Sequence, residues 1–237
     1  MSIKIDTKFD VYSDTPSGRD PDSHSSTLRR YHKLLWSKSL PNGSAFTLSD
    51  EHPKCYLKHE SELGDFYFSS DGLGHTYRFV RSMTKVIDSV SIEEMDTFYA
   101  ICSTVGAYII FPSQKVDGKI TINGARGLNW KIKDRFDLTL ECIRCYYQNQ
   151  YSPLSDTLER YANFFALFES FQGYVEFFLL QDMVARDGKS VEFFLPFQGF
   201  DGYPLPSDFD NYQIYKSHLT DFITARNKLV DKCAINM

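Results

Sequence analysis

Apolar positions recur at two spacings along this chain. Leu28, Tyr31 and Leu35 fall on one face at helical spacing, behind Ser25 or Ser26 as the residue that caps the helix start. Pro41-Asn-Gly43 closes that unit in a turn. From Phe46 to Ser70 the pattern shortens to strands and loops, and the aromatic run Phe66-Tyr-Phe-Ser69 is its clearest strand. Ser91-Ile-Glu-Glu94 is a capping box that predicts a helix with Met95, Phe98, Tyr99 and Cys102 on one stripe. Ala107 to Phe111, closed by Pro112, reads as a buried strand, and Val116-Asp-Gly-Lys119 as a hairpin turn into Ile120-Thr-Ile122.

The second half is more helical. Leu138 to Tyr147 is apolar on most sides and predicts a buried helix. Ser152-Pro153 reads as a cap followed by proline at the first helical position, leading a helix with Leu154, Leu158, Tyr161, Phe165 and Phe168 on one face. Gln172-Gly173 is expected to break it. Tyr174 to Val184 is read as helix in preference to strand, and Val191 to Leu195 as a strand. A last amphipathic helix carries Tyr212, Tyr215, Leu219, Phe222, Ile223 and Leu229. These elements predict an α+β fold: one domain over 1–237, a small mixed or antiparallel sheet, a polar N-terminal loop region over 1–24 and a mainly helical part over 137–237.

Composition narrows the function classes. With 42 % hydrophobic and 24 % charged residues in 237, the chain has apolar content to offset its entropy, which excludes disorder as the main state. A net charge of −5 argues against loose adhesion to nucleic acid or anionic lipid, though not against a local basic cleft. No apolar run reaches the ~18 residues of a membrane span, and Met1 to Asp10 has no signal-peptide core, so a cytoplasmic protein without membrane contact is expected. Five cysteines, an odd number in a chain of this size, fit that expectation. Cys142-Ile-Arg-Cys145 lacks the second ligand pair of a zinc site, so two semi-buried thiols on a helix are expected and no metal.

Four polar clusters can carry chemistry. Arg19-Asp-Pro-Asp22 running into Arg29-Arg-Tyr-His32 can grip a phosphate or carboxylate, since arginines fork onto oxyanions and His32 can act as acid or base. The competing reading is a solvated loop whose arginines pair with Asp20 and Asp22. Asn123-Gly-Ala-Arg126-Gly127 can present an arginine from a glycine-flanked loop, although it is neither a P-loop nor a dinucleotide fingerprint. Behind it Asp137, Glu141 and Arg144 share a helix face, either as an internal ion network or as the lining of a cleft. Gly64-Asp-Phe-Tyr-Phe-Ser69-Ser70 ends in two serines before a turn that presents His75 and Tyr77. Glu192 stands alone in an apolar run, so it needs a partner, a ligand or water.

The stretches FDVYSDTPSGRDPDSHSSTLRRYHKLLWSKSLPNG, TINGARG, DRFDLTLECIR and SPLSDTLERYANFFALFESFQGYVEFFLLQD resemble a bacterial family of unknown function, which implies no activity. Gly64-Asp-Phe-Tyr-Phe-Ser69, Tyr77 and the Glu192 of Val-Glu-Phe-Phe resemble parts of the His-Tyr-Glu ADP-ribosyltransferases, with His32 in the place of the first residue. That resemblance implies a nucleotide-using transferase, a toxin or defence effector that consumes NAD and modifies a protein or nucleic-acid acceptor. Glu192 would hold the ribose hydroxyl, His32 the other ribose, and Tyr77 would stack on nicotinamide. Arg30 or Arg126 would take the pyrophosphate, with Tyr31, Ser69 and Asn123 as further nucleotide contacts. Two alternatives stand beside it. One is a nuclease using Asp134, Asp137 and Glu141 around a metal. The other is a non-enzymatic domain with an aromatic partner surface.

Overall fold

The computed structural model describes residues 4–52 and 55–235; the first three residues of the Met1 to Asp10 segment lie outside them. Asp20 caps a single turn, α1 (Pro21–His24), and the Ser25 hydroxyl accepts from the Leu28 amide to start α2 (Ser26–Trp36). A two-stranded ribbon follows, β1 (Lys38–Ser39) against β2 (Ala45–Phe46), around the expected Pro41-Asn-Gly43 turn. The main sheet is antiparallel, in the order β3 (Leu57–Ser61), β4 (Gly64–Gly72), β5 (Tyr108–Pro112). Its central strand alternates: Phe66, Phe68 and Ser70 are buried on one face, while Tyr67, Ser69 and Asp71 point to the other. The register sets Ser70 opposite Ile110 and Asp71 opposite Ile109.

Between β4 and β5 lie α3 (Thr84–Ile87) and α4 (Ile92–Cys102), the latter capped by Ser91 as its capping box predicts. After β5 the chain is helical: α5 (Ile122–Leu128), α6 (Phe136–Tyr147), α7 (Ser155–Glu159), α8 (Ala162–Ala166), α9 (Phe171–Phe177) and α10 (Phe209–Ile235). The fold is α+β. One hydrophobic cluster runs through it, from Trp36 and the inner face of β4 to Phe164, Phe168 and Phe178 and on to the Tyr212, Tyr215 and Phe222 face of α10. Among the described residues no helix is long and apolar enough to cross a membrane.

Several local expectations are corrected, each by a specific contact. The turn over Val116–Lys119 forms, with Asp117 and Gly118 at φ 52° and 68°, but it leads into a helix. The Thr121 hydroxyl caps α5 there, so Asn123 to Gly127 is helical and not a loop. The single helix expected behind Ser152 is split into α7 and α8, although its stripe of Leu154, Leu158, Tyr161, Phe165 and Phe168 still faces the core. The break before α9 falls at Glu169 (φ 62°), where the Ser170 hydroxyl caps the next helix. Gly173 is inside that helix, where a Cβ would collide with the Phe168 carbonyl oxygen. Tyr174 to Val184 is helical only to Phe177, and Leu179 (φ 56°) separates it from a short 3-10 turn at Gln181–Met183. Val191 to Leu195 is no strand beyond an isolated bridge of Val191 to Val184.

The long helix α10 fixes the loop after β4. Its Tyr215 hydroxyl donates to the His75 carbonyl (2.8 Å) and its Tyr212 hydroxyl to the Thr76 carbonyl (2.7 Å). Further along, the fully buried Arg226 donates to the carbonyls of Gly106, Tyr108 and Phe178. Among the described residues no carboxylate pairs with it, and burial lowers its pKa to about 9. Carbonyls at the start of β5 and at the end of α9 are thereby satisfied by one cation.

Candidate functional site

A cavity of about 550 Å³ opens where α1, the end of β4 and the segment after α5 meet. Asp20, Pro21 and Asp22 reach it because the Asp20 carboxylate caps α1, accepting the Asp22 amide at 3.0 Å, with proline at the first helical position. His75 and Tyr77 come from the loop pinned by Tyr212 and Tyr215, and Lys133 and Asp134 from the turn after α5. Tyr12, Tyr99 and Tyr108 supply aromatic wall.

Three lining residues hold left-handed backbone: Tyr77 (φ 55°), Lys133 (φ 49°) and Asp134 (φ 59°). Side chains other than glycine adopt this conformation at a cost of order 1 kcal/mol or more each, so the surrounding structure must impose it. The contacts that impose it are visible. The Tyr77 hydroxyl donates to the Lys133 carbonyl, and Arg126 donates to the carbonyls of Gly72 and Asp134. Gly127 completes the wall, since a Cβ there would lie 3.0 Å from an Asp134 carboxylate oxygen.

Charge is concentrated under the cavity floor. Arg126 is fully buried and pairs with Asp71; its Nε donates to Thr139 at 3.0 Å and its guanidinium lies over the Phe111 and Phe136 rings. Burial raises the Asp71 carboxyl, and Arg126 opposes the rise. Asp22 is the more perturbed group. Burial and then the Asp71 charge push its carboxyl up to about 7, against the pull of Ser70 and Arg126. Burial lowers the His75 imidazole, with Asp134 and Asp71 acting the other way, and its Nε2 is buried without a partner. One Asp22 carboxylate oxygen, Oδ1, is likewise unpartnered. A carboxyl raised toward neutrality, in a cavity that also presents an imidazole, can give and take a proton at physiological pH.

The residues singled out from the sequence are distributed differently. Tyr77 lines this cavity. His32 is buried on the inner face of α2, bonded to the Tyr56 hydroxyl at 3.2 Å and held neutral by burial, which lowers it to about 3. Glu192 is exposed beside a separate cavity of about 300 Å³ shared with Asp182, His218 and Asp221. Arg30 is exposed over the Tyr31 ring, and Tyr31 is buried with its hydroxyl accepting from the Asp6 amide. Asn123 donates to the Ser69 hydroxyl (3.0 Å) and the Ser70 carbonyl (3.1 Å), tying α5 to β4. Arg126 has Nε, Nη1 and Nη2 all engaged inside the protein, which removes it as a surface grip for pyrophosphate.

The polar stripe on α6 forms ion pairs with arginines. Asp137 is fully buried, pairs with Arg135 and accepts the Phe194 amide at 3.0 Å; Glu141 takes Arg144 at 2.7 Å through both oxygens. Asp134 alone of the three nuclease candidates lines the cavity. Among the described residues no group of three or more His, Cys, Asp or Glu is placed to hold a metal ion. Cys142 and Cys145 are free thiols buried on α6, and burial raises Cys142 to about 12.

Asp71 carried no sequence signal, and Asp22 and His75 were visible only as members of separate clusters. The usable hints were a capping Asp-Pro-Asp and a strand ending in Ser-Ser-Asp before glycine. Only folding brings positions 22, 71, 75, 126 and 134 to one place.

No curated protein and no solved structure matches the chain. A family model, described as a family of unknown function (DUF6994), matches residues 5–230. That span is nearly the whole chain, so the protein belongs to the DUF6994 family of unknown function.

Proposed function

We propose that the protein is an enzyme whose chemistry is proton transfer in the cavity between α1 and the end of β4. Asp22 carries the exchangeable proton, and His75 is the second group at the reacting position. The observation behind this reading is the Asp22 carboxyl raised to about 7 in a cavity that also presents an unpartnered imidazole nitrogen. Among the described residues Asp22 also lacks the cation partner that Asp137 has in Arg135. The strained backbone at Tyr77, Lys133 and Asp134 supports the same placement, because such strain persists where a site is held in one geometry.

A transferase that uses NAD is the narrower form of this reading. Tyr77 is then the one member of the expected trio in the cavity, and Asp22 takes the carboxylate role given above to Glu192. The test is turnover of NAD and of a panel of nucleotides, followed by mass spectrometry of products, for wild type and Asp22→Asn. Removing a general acid or base costs roughly 10²–10⁴ in rate, so Asp22→Asn is expected to fall by at least ~100-fold with its fold intact. An Asp22→Asn protein as active as wild type overturns the reading.

A further inference from the structure

The cavity rim carries three cations from three segments: Arg19 from the turn before α1, Arg78 from the loop after β4, and Lys133 from the turn after α5. All three side chains are exposed. Arg78 meets Asp96 at 3.3 Å, while Arg19 and Lys133 make no ion pair among the described residues. Of the carboxylates lining the cavity with them, Asp20 is engaged as the α1 cap, Asp134 lies against Gly127, and burial favours the neutral form of Asp22. Asp71 is neutralised by Arg126 below the floor.

Flat aromatic surface stands beside these cations. The Tyr12 and Tyr99 rings are 5.3 Å apart at 34°, both lining the cavity. Phe79 is 89 % exposed at the mouth, with the Arg78 guanidinium 5.9 Å from its ring centre. A bare Phe in that position buries nothing in the protein itself. Inorganic phosphate would leave the aromatic wall uncovered, and a neutral ring would leave the cations unanswered.

We infer that the cavity binds a nucleotide, with phosphate among Arg19, Arg78 and Lys133 and the base against the Tyr12–Tyr99 wall and Phe79. Arginine and lysine make charge-assisted bonds to phosphate oxygens, and bases stack on aromatic faces whatever their sequence. A volume of about 550 Å³ is in the range of small-molecule sites. The inference rests on the proton-transfer reading, because it names the substrate class of that same site.

The experiment is isothermal titration of the full chain with AMP, NAD, adenosine and inorganic phosphate. AMP is expected to bind, and adenosine and phosphate to bind at least tenfold more weakly. Arg78→Gln with Lys133→Gln, both exposed and outside the core, should weaken AMP by roughly tenfold or more, the worth of a charge-assisted contact. Tighter binding of NAD than of AMP would also support the inference and assign the dinucleotide as the source of the phosphate. Silence from both AMP and NAD, phosphate binding as tightly as AMP, or an unchanged double variant overturns it. Asp22→Asn is expected to keep AMP affinity, which separates the two claims. Loss of nucleotide binding with Asp22 still titrating near neutrality removes the inference alone. Nucleotide binding together with full turnover by Asp22→Asn removes the proton-transfer reading alone.

Discussion

Asp22→Asn should make the protein more stable at pH 8 and leave it unchanged at pH 4. The native carboxyl titrates at about 7 and the unfolded one near its ordinary 3.8. A raised acid in the folded state binds its proton more tightly there, so its contribution is fully present below pH 4 and is lost as pH rises through 7. The interval, at about 1.36 kcal/mol for each pH unit, corresponds to roughly 4 kcal/mol. The side chain is part-exposed, so solvent screening reduces this to about 2 kcal/mol. For a chain of this length about 2 kcal/mol is a Tm change of roughly 4–8 °C. Asparagine keeps the shape and removes the charge. Thermal unfolding of both proteins from pH 4 to pH 8 reads the effect directly. The Tm difference should grow across that window in favour of the variant. A flat difference, or an Asp22→Asn protein that is the less stable at pH 8, would refute the account of the floor charges.

Other outcomes follow from single contacts. Arg126→Met leaves Asp71 buried without its cation, which should cost about 3–5 kcal/mol in denaturant unfolding at pH 8 and less as the pH falls, because burial raises the Asp71 carboxyl and favours its neutral form. Arg226→Met strips donors from the carbonyls of Gly106, Tyr108 and Phe178 and should cost about 2–4 kcal/mol, with little dependence on pH between 5 and 8 because its partners are carbonyls that do not titrate. Gly106→Ala drives a Cβ to 2.5 Å from the Asn227 side-chain oxygen and should lower stability by about 1–3 kcal/mol, an effect that Asn227→Ala in the same chain should partly relieve. Tyr215→Phe releases the His75 carbonyl; a loss of about 1 kcal/mol and faster amide exchange in the loop over 74–77 are expected.

Elements with a strong local cause were legible in the sequence. Ser25 and Ser91 cap α2 and α4 where their spacing says, and the aromatic alternation of Phe66 and Phe68 gives β4. Where a tertiary contact decides, the sequence misled. Asn123 to Gly127 carries two glycines and reads as a loop. Gly127 makes room for Asp134, and Gly124 for Ile120, within a helix that Thr121 caps. Val191 to Leu195 has strand composition, but it pairs at one residue only and runs on as a loop whose Phe194 amide is taken by Asp137. The same limit applies to the site. His32 looked like an acid or base because its neighbours in sequence are arginines, yet it turns to the core side of α2 and bonds Tyr56. Glu192, alone among apolar neighbours, left a partner, a ligand or water open, and its side chain faces water. Burial and the proximity of Asp71 and Arg126 give Asp22 its chemistry, and residues so far apart in the chain leave no local pattern.

The most direct measurement is a carboxyl-carbon NMR titration of the aspartates, with the Asp22 resonance identified by its absence in Asp22→Asn. A midpoint near 7 is expected for Asp22, shifted downward in Asp71→Asn because a neighbouring negative charge is gone. A midpoint near the ordinary 3.8, unmoved by Asp71→Asn, would contradict the proton-transfer reading and leave the cavity without an acid that works near neutrality.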